Sequence, residues 1–330
     1  MKLQQTASIN LPLKPCSMTA FKQPSTSRVH YAIACYEQDS AGNYIGQIRI
    51  TPADGDLKSE AKVLPMTGGV FRIYNHPGEN RIFAVTTNGK VIFIDTETFE
   101  VDSLVYPVEE GGSRPYFTDG SLRPGKLAVS DDAGNVHVLD RETGQVLAKQ
   151  RGHLLRKVGN LECPAWSVAW RSEEEIASVG DDGRLNLWDL RASPMAVSAF
   201  STGPCDDGLV FVKVPKLNGD GSLITGDYGQ NYCVWDLRGE PKLQRTVTKE
   251  LPGGVWHVDD SLATTSHGLQ AVACMQGGFV ILDESLDTVA ADDHSGLTYG
   301  VAIHENPAQT GLIVAEVEFD DRKLNQYSLV

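Results

Sequence analysis

The chain has no apolar run approaching 18 residues, so nothing in it is long enough to be read as a transmembrane helix. Its first residues, MKLQQTASINL, lack the apolar core of a secretory signal. No two of the six cysteines, Cys16, Cys35, Cys163, Cys205, Cys233 and Cys274, have C-x-x-C spacing. That removes the common zinc and dithiol readings and leaves reduced, buried thiols in a cytosolic chain as the expectation. Positive charge is also scarce. Lys and Arg number 29 against 43 Asp and Glu, a net charge of −14, which repels phosphate backbones and argues against a nucleic-acid partner. There is no G-x-S-x-G elbow, H-E-x-x-H pair, P-loop or G-x-G-x-x-G after a strand. The eight histidines show no metal spacing. His76 and His304, in NHPGEN and HENPAQ, read as surface turns. No helical period exceeds two turns.

What is present is a repeat. Five short alternating strands end in Asp: KVIFID at Asp95, NVHVLD at Asp140, RLNLWD at Asp189, YCVWD at Asp236 and FVILD at Asp283. Their spacings are 45, 49, 47 and 47 residues. GQIRIT at 46–51 and KLNQYSL at 323–329 are the equivalents at either end, which makes seven units. Two earlier short strands precede each, and Gly and Asp turns join them, as in antiparallel hairpins. A period near 46 residues predicts an all-β, seven-bladed β-propeller built of four-stranded blades. The seventh unit stops after its third strand. The spare strand Gln5–Leu11 (QTASINL) is expected to supply the fourth and cover that open edge. On this reading residues 1–330 form one domain, a monomer, and trimming the first ten residues is costly.

Unit four resembles the WD repeat. Ser178, Asp182 and Trp188 have the family spacing, and Gly152-His153 matches its Gly-His pair, with an extended gap to Asp182. A buried indole N–H and a buried carboxylate must both be hydrogen-bonded, so these residues read as structural. Unit five keeps Trp235 but has Gly229 at the Asp position, and its network is expected to be broken.

The second half carries a more specific resemblance. SVAW…SVGDDGRLNLWDLR (167–191), LITGDYGQNYCVWDLR (223–238), GGVWHV (253–258), AVACMQGGFVIL (271–282), LTYG (297–300) and FDDRKLNQY (319–327) together resemble the diphthine methyl ester hydrolases, WD-repeat enzymes of diphthamide biosynthesis. The likeness covers roughly 160–330 well and the first half poorly. The family usually continues GGVW with Arg where this chain has His257. Cys205 stands in place of a family His, and Pro164-Ala165-Trp166 in place of Glu-Ala-Trp. The resemblance implies hydrolysis of the methyl ester of methylated diphthine on translation elongation factor 2, without a cofactor.

In such propellers the loops before the first strand and between the second and third open on one face. The matched residues fall there: Asp227-Tyr228, Gly253-Gly254, Trp256-His257, Cys274, Tyr299 and Asp321. The substrate carries a trimethylammonium beside its ester. Trp256, Tyr228 and Tyr299 are candidate ring faces for that cation, with Asp227 or Asp321 as counter-charge. His257 is the candidate catalytic base, and the Gly253 and Gly254 amides are candidate oxyanion donors. Two further readings remain. WDLR at Trp188–Arg191 and Trp235–Arg238 resembles the pattern of adaptors for cullin-type ubiquitin ligases, and a plain interaction scaffold needs no chemistry at all.

Overall fold

The computed structural model describes residues 1–58, 60–108, 112–192, 195–200, 207–216, 221–238, 243–294, 296–306 and 311–330. Its complete helical elements among these are two three-residue 3-10 turns, Pro77–Glu79 and Arg156–Val158. Seven four-stranded antiparallel sheets hold nearly all the remaining regular structure, and they are the blades of a β-propeller. A two-residue hairpin, Leu154–Leu155 with Leu161–Glu162, is an excursion between blades three and four. It accounts for the extended gap after His153.

The first strands of blades one to seven are Pro15–Lys22, Val70–His76, Phe117–Arg123, Ala165–Trp170, Leu209–Lys213, His257–Leu262 and Thr298–Glu305. The chain divides into two compact units. Unit one, residues 1–87, 91–103 and 256–330, holds blades one, two, six and seven. Unit two, residues 88–90 and 104–255, holds blades three to five.

The recurring Asp has a local cause. At five third-strand ends, those of blades two to six, the carboxylate turns back onto backbone amides of the following turn. Asp95 accepts from Glu97 N, Asp140 from Thr143 N, Asp189 from Arg191 N, Asp236 from Arg238 N and Asp283 from Ser285 N, all at 2.7–2.9 Å. An Asp side chain that closes a turn in this way aims the chain back into a fourth strand. The first strands share a second irregularity. A bulge falls one residue after the start in six blades, at Cys16, Phe71, Thr118, Trp166, Val210 and Tyr299. A bulge re-aims the side chain it releases from the ladder.

Blade seven comprises Thr298–Glu305, Leu312–Glu318, Lys323–Leu329 and the N-terminal strand Leu3–Asn10. Leu3 pairs with Leu329 and Asn10 with Lys323, in antiparallel register. The strand begins two residues before Gln5 and stops one before Leu11. Leu11 instead enters a buried cluster with Met18, Tyr31 and Leu324.

In blade four Trp188 Nε1 donates to Ser178 Oγ at 2.8 Å. Ser178 in turn lies 2.7 Å from His153 Nε2, and His153 Nδ1 lies 2.8 Å from Asp182 Oδ1. A Cβ on Gly152 would meet the Trp188 ring at 2.2 Å, so the residue before His153 is small because the indole packs on it. In blade five Trp235 Nε1 still donates to Thr225 Oγ1 at 2.9 Å. The indole is satisfied there without the Asp, so this part of the network survives. His304 is not in a surface turn. It lies in a strand, is buried, and sits 2.9 Å from the Tyr31 hydroxyl.

Asp182 is nearly fully buried and also accepts from Leu154 N and Arg184 N. Asp182→Ala should therefore destabilise the chain by about 2–4 kcal/mol, since it strands His153 and two backbone donors. Denaturant unfolding of the variant checks this; a midpoint within error of the parent would contradict it.

Candidate functional site

First strands start, and second strands end, at the same end of an antiparallel sheet. In unit one that end carries a closed circle of five aromatic rings. Trp256 stacks on Tyr299 at 4.5 Å, Tyr299 meets Phe319 at 5.2 Å and Phe319 meets Tyr36 at 5.4 Å. Tyr36 meets Phe71 at 5.7 Å and Phe71 returns to Trp256 at 6.3 Å. The tilted and edge-on pairings suit ring quadrupoles. Trp256 and Phe71 are buried, whereas Tyr36, Tyr299 and Phe319 are partly exposed. The circle therefore has a packed side and an open side.

Arg72 closes the packed side. Its guanidinium lies 4.3 Å from the Trp256 ring centroid, its Nη1 donates to Trp256 O at 3.1 Å, and it has no exposed surface. It thereby joins the first strand of blade two to the residue leading into blade six. Burial pushes the Tyr299 phenol up to about 12, with Arg72 drawing it part of the way back. The phenol is thus protonated at neutral pH and can donate a hydrogen bond.

The resemblance-derived residues of unit one do not all face this circle. Trp256 is its packed member, 4 % exposed, rather than an open platform. His257 opens the first strand of blade six. The imidazole is buried, with its centroid 6.5 Å from that of Tyr74. Cys274 is buried, its thiol directed at Val272 O. Its neighbours hold the site's backbone: Trp256 N donates to Ala273 O at 3.0 Å and Thr298 N to Met275 O at 2.9 Å. Asp321 is exposed in the turn after Phe319, 3.8 Å from Lys323 Nζ.

In unit two, Asp227 is buried and accepts from Asn231 N and Nδ2 at 2.7 and 2.9 Å. Burial raises its pKa, against the pull of those two bonds. Val255 N donates to Asp227 O, and Gly253 and Gly254 are buried. Tyr228 is exposed. Arg191 and Arg238 also belong to unit two and each forks onto its own turn carboxylate, Asp189 and Asp236. Cys205 lies outside the described residues; the other five cysteines are free and buried.

Among the described residues, Asp292, His294 and Glu316 bring potential ligand atoms within 4.8 Å of one another. The buried Glu316 is already served by protein donors: His294 Nε2, Thr298 Oγ1, Asn325 Nδ2 and Tyr327 OH, at 2.8–3.1 Å. By strand register Glu316 stands where Ser178 stands in blade four, Asn325 where Asn186 stands and Tyr327 where Trp188 stands. This cluster is blade seven's version of the blade-four network, with a carboxylate at its centre.

No protein-family model matches the chain. The THO complex subunit 6 homolog of Danio rerio is 24% identical over 193 residues, 54% of this chain and 57% of that protein. The match thus spans little more than half of that relative's length. Among solved structures, a chain from the crystal structure of a mitotic checkpoint complex superposes with a TM-score of 0.71. It covers 98% of this chain and 91% of the other at 16% identity, a likeness of fold. The chain is a WD-repeat-like seven-bladed β-propeller.

Two predictions follow from this geometry. Trp256→Ala should cost about 3–5 kcal/mol of stability, because a buried indole is removed from beneath Arg72 and Tyr299. Trp256→Phe should recover part of that. Thermal melts of both variants decide; full stability in the alanine variant would move Trp256 to the open side.

The second concerns pH. The bond to Glu316 raises the His294 pKa above its ordinary 6.5, against burial. Burial alone would push Glu316 up, but His294 and its other donors hold it below its ordinary 4.5. A raised histidine stabilises fully below 6.5 and loses that contribution as pH rises through its folded value. A lowered carboxylate stabilises above 4.5 and loses it as pH falls through its folded value. The melting-temperature gap between the parent and His294→Gln should be widest between those two values and shrink towards alkaline pH. A gap that stays constant into the alkaline range contradicts the pair.

Proposed function

We propose that this propeller hydrolyses the methyl ester of methylated diphthine on translation elongation factor 2. One observation carries the reading. Four segments that resemble the diphthine methyl ester hydrolases, about twenty residues apart along blades six and seven, meet at one end of unit one. GGVW supplies Trp256, ACMQGG supplies the carbonyls of Ala273 and Met275, LTYG supplies Thr298 and Tyr299, and FDDRKLNQY supplies Phe319. Segments kept together for a blade's stability alone have no need to converge on a partly exposed aromatic surface.

The chemistry asked of the site is modest. Water adds to the ester carbonyl, methanol leaves, and the product is a carboxylate with one proton released. A neutral Tyr299 hydroxyl is suited to donate to the developing oxyanion. His257 is buried beside Tyr74, and the reading does not rest on it as the base. The substrate is a folded protein, so the same face docks a protein partner, and the reaction belongs in the cytosol with the translation machinery.

A second reading, a non-catalytic propeller that assembles protein partners, has the likeness to a protein named as a THO complex subunit in its favour. Docking to a ubiquitin ligase through Arg191 and Arg238 has less in its favour, because each guanidinium forms a local fork on its own turn carboxylate, Asp189 and Asp236, as ordinary surface turns do. Mass spectrometry of methylated elongation factor 2, before and after incubation with the protein, separates the readings. Loss of one methyl group with release of methanol is expected. Intact ester after prolonged incubation, with the factor still bound, would leave the scaffold.

A further inference from the structure

We infer that Phe319, flanked by Tyr36 and Tyr299 and followed by Asp320, is a subsite for a trimethylammonium group, and that the chain's own Lys14 sits in it. The Lys14 ammonium lies 4.8 Å from the Phe319 ring centroid and 2.8 Å from Asp320 Oδ1. A ring face and a carboxylate on one cation are the two features by which proteins hold quaternary ammonium groups. Tyr299 and Tyr36 are tilted 53° and 48° to the Phe319 plane, so they flank it instead of covering it. Tyr44 meets Tyr36 at 5.9 Å and extends the aromatic surface.

The subsite is fixed while its occupant is loose. Phe319 N donates to Leu297 O at 2.8 Å, and Tyr36 N donates to Lys14 O at 3.0 Å, so both backbones are held. The Lys14 and Asp320 side chains are 30% and 62% exposed. With Asp320 mostly in water the ion pair contributes little, and the four-carbon lysine stem can swing out without moving a strand, since Lys14 precedes Pro15–Lys22. A primary ammonium is strongly hydrated and gives up that hydration to sit on a ring. A trimethylammonium has the same charge, an apolar shell and no N–H to satisfy, and it therefore displaces Lys14. The net charge of −14 draws cations towards the chain. The occupant follows from the proposed function, since methylated diphthine places such a group beside the ester; the subsite itself rests on the contacts above.

Choline chloride is the probe, with its uncharged tert-butyl isostere and sodium chloride as controls, and binding to the full chain is followed through the aromatic resonances. Choline should shift Phe319, Tyr36 and Tyr299, and the isostere should not. Lys14→Gln frees the ring and should tighten choline about fivefold, while Asp320→Asn should weaken it by a similar factor. Phe319→Leu should abolish it. Asp320 is exposed, so its variant keeps the test decisive if Phe319→Leu fails to fold. Unchanged or weaker binding in Lys14→Gln, or equal binding of the isostere, overturns the subsite. The hydrolysis assay on the same samples separates the two claims. Choline binding without ester cleavage removes the esterase and keeps the subsite; cleavage without choline binding does the reverse.

Discussion

Arg72 carries a guanidinium with no exposed surface, and the aromatic end of unit one is arranged around it. A buried charge is tolerated only where something replaces its water. Here the Trp256 ring and carbonyl do part of that work, which fixes Trp256 at the packed side of the circle. Tyr299 is held by stacking on Trp256, and Phe319 and Tyr36 follow in turn. Phe71, beside Arg72 in sequence, closes the circle. The open faces of Tyr36, Tyr299 and Phe319 thus depend on a cation that never meets solvent.

The blades answer the same requirement for buried polar groups in different ways. Blade four runs Trp188, Ser178, His153 and Asp182 in series. Among its described residues, blade five sets an indole on a threonine. Blade seven replaces the serine with Glu316 and gathers His294, Thr298, Asn325 and Tyr327 onto it. The blade-four version was legible in the sequence because its spacing and its Trp are distinctive. The blade-seven version was not, because Glu, Asn and Tyr at those positions look like ordinary surface strand residues until the register aligns them.

The candidate site was legible in part, for a related reason. Trp256 and Tyr299 stood out through the resemblance in the second half. Arg72, Phe71 and Tyr36 lie in the first half, where the resemblance is weak, and Phe319 stands beside the carboxylates of a turn, where a lone ring carries no signal of its own. The repeat held a usable signal. In six of the seven blades the residue one past the first-strand start, Cys16, Phe71 and Tyr299 among them, is released from the ladder by a bulge. Aligning the bulged units on that position puts Phe71 and Tyr299 at equivalent places in their blades.

The sequence by itself determined the strands, their period, the turn made by each recurring Asp and the N-terminal strand that completes blade seven. All of these rest on contacts within one unit of the repeat, or on a missing strand that has to be supplied. Only the tertiary structure decided which side of Trp256 is covered, where His257 points and that Lys14 meets Phe319. Each of those contacts joins residues from different blades, one or two from each. A pattern of 46 residues says where a strand starts and ends, but which side chains meet across the ends of blades is set by bulges and packing that no single repeat contains.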